Sequence, residues 1–207
     1  MSSYVLNISF SSEALPTIYR AKQRLALVKT VQGNAGQRVT WVSTLPFEDN
    51  VIEWKNDYLL YTARQEAANG ATIKKLSEVS ATDGCIYDVV DGTFGNARPD
   101  ASVGKNCYGA HNLMNQYPYL TVGMAVSATV NGEEKKGNPI NAVILPYNHT
   151  AVMSPIERVG IFLAADIDDG MVQTTEFSNI LTIEYRGNET VHSVRYDENS
   201  GIFVTAD

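Results

Sequence analysis

Cysteine, positive charge and long apolar runs are all scarce in this chain of 207 residues. Its two cysteines, Cys85 and Cys107, are too few for a disulfide framework, and we expect both to be free and buried. Sixteen Lys and Arg residues against 23 Asp and Glu residues give a formal net charge of −7, with no dense basic block. Because such a chain repels phosphate backbones, we do not expect it to bind nucleic acid.

Membrane-spanning and targeting segments are also missing from the sequence. No run approaches the roughly 18 to 20 apolar residues that a transmembrane helix needs. Residues 1–10 lack the basic and apolar regions of a signal peptide. The sequence therefore predicts a protein that is cytoplasmic or released without a classical signal peptide.

The motifs of several common enzyme classes are absent as well. The sequence contains no G-x-S-x-G elbow, no P-loop and no G-x-G-x-x-G turn. His111, His149 and His192 are far apart and do not show zinc-site spacing. A hydrolase with carboxylates on separated strands stays open, but 23 acidic residues allow too many pairs for any one to be evidence. A non-enzymatic function is therefore favoured over an enzyme.

Strand signals, in contrast, recur from one end of the chain to the other. In residues 4–10 apolar and polar side chains alternate, which is typical of a half-buried strand. About ten to twelve such segments, separated by Gly, Asn and Asp clusters, predict an all-β protein. We expect a single-domain antiparallel β-sandwich over residues 1–207, of the jelly-roll or Ig-like kind. At most one short helix is predicted, near residues 11–25, with Ser12 as its N-cap and Pro16 in its first turn.

Residues 121–147 pose a question of their own, because two apolar arms flank the charged segment 131–138. The first arm alternates apolar with small polar residues, and its length matches a tilted strand that crosses a bilayer. The second arm is apolar on both faces, whereas a pore strand would keep one polar face toward water. The pattern therefore favours an ordinary core hairpin, with residues 131–138 as its loop.

Tyrosine is unusually frequent among the aromatic residues, with 11 Tyr against six Phe and two Trp. Rings with a polar group suit surfaces that contact sugars, lipid headgroups or other proteins. We expect a sugar ring to stack on Trp54 or Tyr58 while Asp and Asn side chains hold its hydroxyl groups. The long loop that begins at Asp91 supplies Asp91 and Asn96 for that purpose. The alternative is that the tryptophans fill the core.

A second group of tyrosines lies in residues 106–120, which contain no Asp, Glu, Lys or Arg. Tyr108, Tyr117 and Tyr119 are predicted to form a sugar-binding rim or to lie at the headgroup level of a bilayer. Packing of this loop against a sheet edge is the alternative. With the previous group, these tyrosines complete the set of predicted ligand-binding residues.

The acidic turn at Asp166, Asp168 and Asp169 raises the question of calcium, which prefers clustered carboxylates. An EF-hand does not fit, because Gly170 occupies its fifth position and Glu176 falls at the eleventh instead of the twelfth. No cofactor is therefore expected, and a calcium loop of another geometry is the alternative.

These observations lead to two functional hypotheses. The first is a non-enzymatic, lectin-like recognition protein that binds carbohydrate, with a role in defence. The alternative is a membrane-active toxin, pore-forming, cytolytic or insecticidal, that binds lipid through its Tyr-rich loop. Many soluble lectins and several compact cytolytic proteins share this composition. The expected partner is a glycan or a lipid headgroup, and exposed strand edges would suit a homo-oligomer.

Overall fold

Nearly all of the regular secondary structure in the described residues is β-strand. A computed structural model describes residues 3–64, 66–174 and 179–206. Within these ranges there is one helix, α1 (Leu15–Arg20), and there are 17 strands. The strands are β1 (Ser3–Ser9), β2 (Gln23–Gly33), β3 (Gln37–Thr44), β4 (Asp49–Ala63), β5 (Lys75–Ser80), β6 (Cys85–Val90), β7 (Thr93–Phe94), β8 (Arg98–Pro99), β9 (Tyr108–Asn112), β10 (Tyr119–Val130), β11 (Glu133–Pro139), β12 (Asn141–Pro146), β13 (Thr150–Ala165), β14 (Val172–Gln173), β15 (Leu181–Glu184), β16 (Val191–Asp197) and β17 (Ile202–Thr205).

The strands form two facing layers around a shared core. In the first layer, β4 lies between β1 and β10, and β1 continues to β16 and β17. In the second layer, β2 lies between β3 and β13, and β13 continues through β9 to β6. Pairing of β3 with β12 joins the layers at one side, and inward side chains from both layers form one hydrophobic cluster. The prediction of an all-β, sandwich-like fold is confirmed.

Two details of the sheet differ from the sequence-based expectation. The pairings of β1 with β16 and of β6 with β9 are parallel, not antiparallel. There are also more strands than the expected ten to twelve. Three strands are only two residues long, and β9 and β11 lie in segments that the sequence marked as loops.

Trp41 connects the two layers at the centre of the core. Its side chain is fully buried, and Nε1 donates a hydrogen bond to the Val126 carbonyl at 3.0 Å. Burial of one large apolar side chain stabilises a fold by roughly 1.5 to 3 kcal/mol. The hydrogen bond satisfies the indole N–H, which would otherwise be buried without an acceptor.

The helix is shorter than predicted and is capped differently. Pro16 lies in its first turn as expected, but Ser12 does not cap it, because the N-cap position is Ala14. The hydroxyl oxygen of Ser11 instead accepts a hydrogen bond from the Ala14 N–H at 3.1 Å. Beyond α1, residues 23–33 form β2, in which residues 25–29 are all buried because both faces of the strand are covered. No helix in the described part of the chain is long and apolar enough to cross a membrane.

The segment at 131–138 is a strand and not the predicted loop. Asn131 and Gly132 both have positive φ angles, +51° and +84°, so they alone form a tight turn of the kind that Asn-Gly favours. The charged residues that follow belong to β11, which pairs with the second half of β10. The apolar face of β10 lies in the main core, from Val122 to Val130.

Candidate functional site

A buried ion pair lies between the two layers and organises one group of the predicted residues. Lys29 Nζ is 3.0 Å from Glu157 Oε2, and the two side chains are 0% and 16% exposed. The ammonium group also lies over the rings of Trp41 and Trp54, at 5.2 and 4.8 Å from their centroids. These cation–π contacts partly offset the desolvation of the ammonium group.

Glu157 is held in place by a β-bulge and by several donors. The register between β13 and β2 shifts between Ile156 and Val159, and Glu157 lies in this irregular stretch. Its carboxylate accepts hydrogen bonds from the Tyr58 hydroxyl and, at 3.3 Å, from Trp54 Nε1. Together with the Lys29 ammonium, these donors give the carboxylate three partners, as a buried charge requires.

The predicted residues Trp54, Tyr58 and Tyr108 all belong to this cluster. Trp54 is 3% and Tyr58 6% exposed, so neither ring presents a face to solvent. Tyr4 stacks on Trp54 at 5.4 Å, and Tyr108 contacts Tyr58 at 5.9 Å between ring centroids. Asn56 lies inside the continuous strand β4 and donates to the Tyr4 hydroxyl at 3.2 Å. A sugar would reach Trp54 or Tyr58 only if this core opened, and their ligand-binding role stays a prediction.

Burial shifts the acid–base behaviour of this cluster. It lowers the pKa of the Lys29 amine below its usual value of 10.5, although the nearby Glu157 charge acts in the opposite direction. Burial also raises the pKa of the Tyr58 hydroxyl, and the Glu157 charge adds to that effect. The cluster therefore disfavours any further charge, which is typical of a packed interior.

The other predicted tyrosines lie in a separate place that we call the tyrosine rim, defined as residues 112–119 and 144–149. Asn112 joins its two segments and is fully buried. Its Nδ2 donates to the Leu145 carbonyl at 2.9 Å, and its Oδ1 accepts from the Met114 N–H at 2.9 Å. The Asn148 N–H also donates to the Asn112 carbonyl at 2.7 Å. These bonds fix the two segments to each other.

The rim exposes two aromatic rings on adjacent stretches of backbone. Tyr117 is 36% and Tyr147 45% exposed, and the Tyr147 N–H donates to the Pro118 carbonyl at 3.4 Å. Several amide side chains of the rim are exposed beside them. These are Asn115, Gln116 and Asn148.

Charged residues from the neighbouring segment contact the rim tyrosines. The Arg64 guanidinium lies 5.4 Å from the centroid of the Tyr117 ring. The hydroxyl of Tyr119, which is half-buried, donates to Glu66 Oε1 at 2.5 Å. This hydrogen bond raises the pKa of Tyr119, because it is made by the protonated hydroxyl. Tyr119 is thus engaged with Glu66, whereas Tyr117 keeps part of its ring open to solvent.

Of the two predicted loop residues, Asp91 lies beside the rim and Asn96 does not. Asp91 is exposed in a tight turn with Gly92, whose N–H contacts Met114 Sδ at 2.9 Å. The Leu113 N–H donates to the Val89 carbonyl at 3.1 Å, which fixes the same turn to the rim. Asn96 is exposed between β7 and β8, and within the described ranges no hydrogen bond joins it to the rim.

The acidic turn near Asp166 is used for structure. Asp169 Oδ2 is 2.6 Å from Lys135 Nζ, and its Oδ1 accepts from the Ser43 N–H at 2.5 Å. Asp166 has a positive φ of +52°, as in a tight turn. Among residues 3–64, 66–174 and 179–206, no three His, Cys, Asp or Glu side chains are grouped to hold a metal ion. Calcium binding at Asp166, Asp168 and Asp169 stays a hypothesis.

Both cysteines are unbridged; Cys85 is buried and Cys107 half-buried.

Sequence reasoning missed four residues that organise these two places. Lys29 was detectable, because it follows Leu25 and Leu27 at two-residue spacing in β2 and therefore faces the core as they do. Glu157, Asn112 and Tyr147 gave no comparable signal, since their roles arise from a bulge and from contacts between distant loops.

Comparisons of the chain with protein-family models, with curated proteins and with solved structures give no match. The tyrosine rim is therefore assigned as the candidate site on its own geometry.

Proposed function

We propose that this protein is a non-enzymatic recognition protein that binds carbohydrate through the tyrosine rim. The observation that carries the proposal is the exposure of Tyr117 and Tyr147 on two segments fixed to each other by Asn112. The apolar face of a sugar packs well on an aromatic ring, and amide groups both donate to and accept from hydroxyls.

The composition of the rim supports binding more than catalysis. Its exposed groups are mainly rings and amides, which recognise hydroxyl groups without reacting with them. Because the two segments are already fixed, little conformational freedom is lost when a ligand binds. A shallow, pre-organised surface of this kind suits a sugar at the end of a glycan.

The experiment compares glycan binding by the original chain and by rim variants. A glycan array identifies a ligand, and calorimetry then measures its affinity for Tyr117→Ala and Tyr147→Ala. We expect each variant to lose about tenfold in affinity, which corresponds to about 1.4 kcal/mol. Tyr117→Phe keeps the ring and should retain most of the binding.

The matched control is Tyr19→Ala, which removes an equally exposed tyrosine from α1, outside the rim. This variant should bind the glycan as the original chain does. The proposal is overturned if the original chain binds no glycan, or if the rim variants and Tyr19→Ala bind equally well.

A second candidate function, that of a membrane-active toxin, is favoured by a patch of exposed apolar side chains at the same end. Val90 and Leu113 are 48% and 38% exposed, and the Leu113 N–H donates to the Val89 carbonyl where the end of β6 meets the rim. Such a patch suits the headgroup level of a bilayer. Sedimentation with glycan-free phosphatidylcholine vesicles, with dye release as a second readout, tests it. If the chain binds the vesicles and releases the dye, and Leu113→Asp abolishes both, the toxin hypothesis is favoured. If the chain does not bind the vesicles, glycan binding is favoured.

A further inference from the structure

A cavity lies beside β2 and β13 and is also lined by residues of β3, β12 and β15. It has a volume of about 460 Å³ and is separate from the tyrosine rim. Val28 and Gly160 are among the residues that line it, and Thr30 and Thr182 add hydroxyl groups. This volume is within the usual range for small-molecule sites.

The charges of this cavity are opposite in sign to those of the whole protein. The described residues that line it include Lys29, Arg38 and Arg158 but no Asp or Glu, although the chain carries a net charge of −7. The Lys29 ammonium is held by Glu157 in the core, so it does not serve the cavity. Two guanidinium groups therefore set the charge of the cavity.

The two arginines differ in how they are engaged. Arg158 Nη2 is 3.3 Å from Glu184 Oε2, but the same carboxylate oxygen also binds Arg186 at 2.9 Å. Arg38 is exposed, and its side chain makes no hydrogen bond or ion pair within the described part of the chain. One guanidinium is thus shared and the other is free to bind an anion.

The backbone that carries Arg38 is fixed on both sides before any ligand binds. Arg38 pairs with Asn141 of β12 on one side and with Gln173 of β14 on the other. The Asn141 side chain, 2% exposed, donates to the Ala35 carbonyl at 2.8 Å and so holds the wall of the cavity. The cavity is therefore largely formed in the free protein.

From these features we propose that the cavity binds a sugar acid, with Arg38 and Arg158 facing its carboxylate. A guanidinium pairs with a carboxylate through two parallel hydrogen bonds, a geometry that a lysine does not provide. Thr30 and Thr182 line the cavity, and their hydroxyl groups would pair with those of the same ligand. The site goes beyond the proposed function, since it shares no residue with the rim.

The test uses glucuronate as the probe and glucose as its neutral counterpart, with binding measured by calorimetry and ligand-observed NMR. We expect the original chain to bind glucuronate but not glucose, and the affinity to decrease with added salt. Arg38→Gln should weaken glucuronate binding by about tenfold or more, and Arg38→Lys by less, because the charge remains. The methyl glycoside of glucuronate shows whether the ligand is a free acid or the end of a glycan.

The matched control is Arg98→Gln, which removes an exposed arginine paired with Asp88 and Asp100 outside the cavity. Tyr117→Ala should also leave glucuronate binding unchanged, which separates this proposal from glycan binding at the rim. The proposal fails if the original chain does not bind glucuronate. It also fails if Arg38→Gln and Arg98→Gln bind it equally well, provided that circular dichroism shows both variants folded.

Discussion

At the scale of single residues, Asn112 is the side chain on which the tyrosine rim most depends. Substitution by Ala removes the donor to the Leu145 carbonyl and the acceptor of the Met114 N–H. Because both groups would then be buried without partners, we expect Asn112→Ala to lower the free energy of unfolding by about 2 to 3 kcal/mol. Urea denaturation followed by circular dichroism measures the change.

The control for this substitution is Asn115→Ala, which removes an exposed amide from the same segment. Its unfolding free energy should stay within about 0.5 kcal/mol of the original value. Equal stability of the two variants would contradict the role that we assign to Asn112.

The buried ion pair leads to a second prediction at this scale. Glu157→Gln leaves the Lys29 ammonium buried without its counter-charge. We therefore expect the free energy of unfolding to decrease by about 3 kcal/mol near pH 7. Glu53 is exposed on the outer side of β4, so Glu53→Gln should leave the free energy of unfolding almost unchanged. The double substitution Lys29→Met with Glu157→Gln should recover much of the loss, because no charge remains buried.

The pH dependence of the Glu157→Gln variant provides a further check. Burial lowers the pKa of Lys29 in the folded protein, whereas the unfolded chain titrates near 10.5. Between these two values the unfolded state binds more protons, so the free energy of unfolding increases with pH. Removal of the Glu157 charge lowers the pKa of Lys29 in the folded protein further, and this extends the pH range of increasing stability toward neutral pH. The variant should therefore gain more stability between about pH 7 and pH 9.5 than the original chain does.

The upper limit of that pH range is set by the tyrosines. Burial raises the pKa of Tyr58 and of Tyr61, so their contribution to stability is lost only above the usual tyrosine value of 10.0. A pH profile of Glu157→Gln that is flat, or that declines below pH 9.5, would be inconsistent with a buried Lys29 ammonium.

At the scale of elements, tight turns with positive φ provide a matched pair of substitutions. Gly36 has a φ of +61°, and a Cβ there would lie 2.1 Å from the Ala142 carbonyl oxygen. Gly132 has a φ of +84° and no atom near the position of a Cβ. We expect Gly132→Ala to lower the free energy of unfolding by about 1 kcal/mol, from backbone strain alone. Gly36→Ala should lower it by at least about 3 kcal/mol, because the added Cβ also meets the Ala142 oxygen. Thermal unfolding followed by circular dichroism compares them, and equal costs would show that β3 and β12 separate easily.

The elements also show how far the sequence predicts this fold. The sequence predicts strands over residues 24–31, 37–45 and 85–90. The last range is that of β6, and β2 and β3 differ from the other two by one or two residues at their ends. β11 was missed because most of its charged residues are exposed. An exposed strand can be as rich in polar residues as a loop, so its composition does not distinguish the two. Of β13, the sequence predicts only the second half, residues 158–165, because Pro155 lies within the first half, next to the bulge.

The candidate site could be predicted only in part, for a related physical reason. Tyr117 and Tyr119 were found from composition, because an uncharged Tyr-rich segment is visible locally. Tyr147 and Asn112 become meaningful only through hydrogen bonds between segments about thirty positions apart, those of Tyr147 with Pro118 and of Asn112 with Leu145. Trp54 and Tyr58 were expected to bind ligand, but the face of β4 on which they lie turns toward the core.

At the scale of the whole molecule, the first strand depends on one of the last. Val5 of β1 pairs in parallel with Val191 of β16, and the Tyr185 hydroxyl donates to the Val5 carbonyl at 3.1 Å. Folding must therefore bring together segments from the two halves of the chain before β1 is covered on both sides. Such non-local pairing slows folding, because the entropy of loop closure is lost before contacts are gained.

We expect the main refolding phase to take on the order of seconds, in contrast to the milliseconds of small helical domains. Stopped-flow circular dichroism after dilution from urea measures this phase. Double-jump experiments, in which the chain is unfolded only briefly, separate it from proline isomerisation. A main phase of milliseconds would contradict the importance of the pairing between β1 and β16.

The position of the two indole rings has a practical consequence for studies of this protein. Trp41 and Trp54 contact each other edge to face around the same ammonium group, and neither reaches the surface. The tryptophan emission therefore monitors the interior alone: it should change strongly when the layers come apart and remain almost constant when a sugar occupies the exterior. A silent emission titration would carry no information on affinity, and a dye or a fluorine label near Tyr147 would be the appropriate reporter.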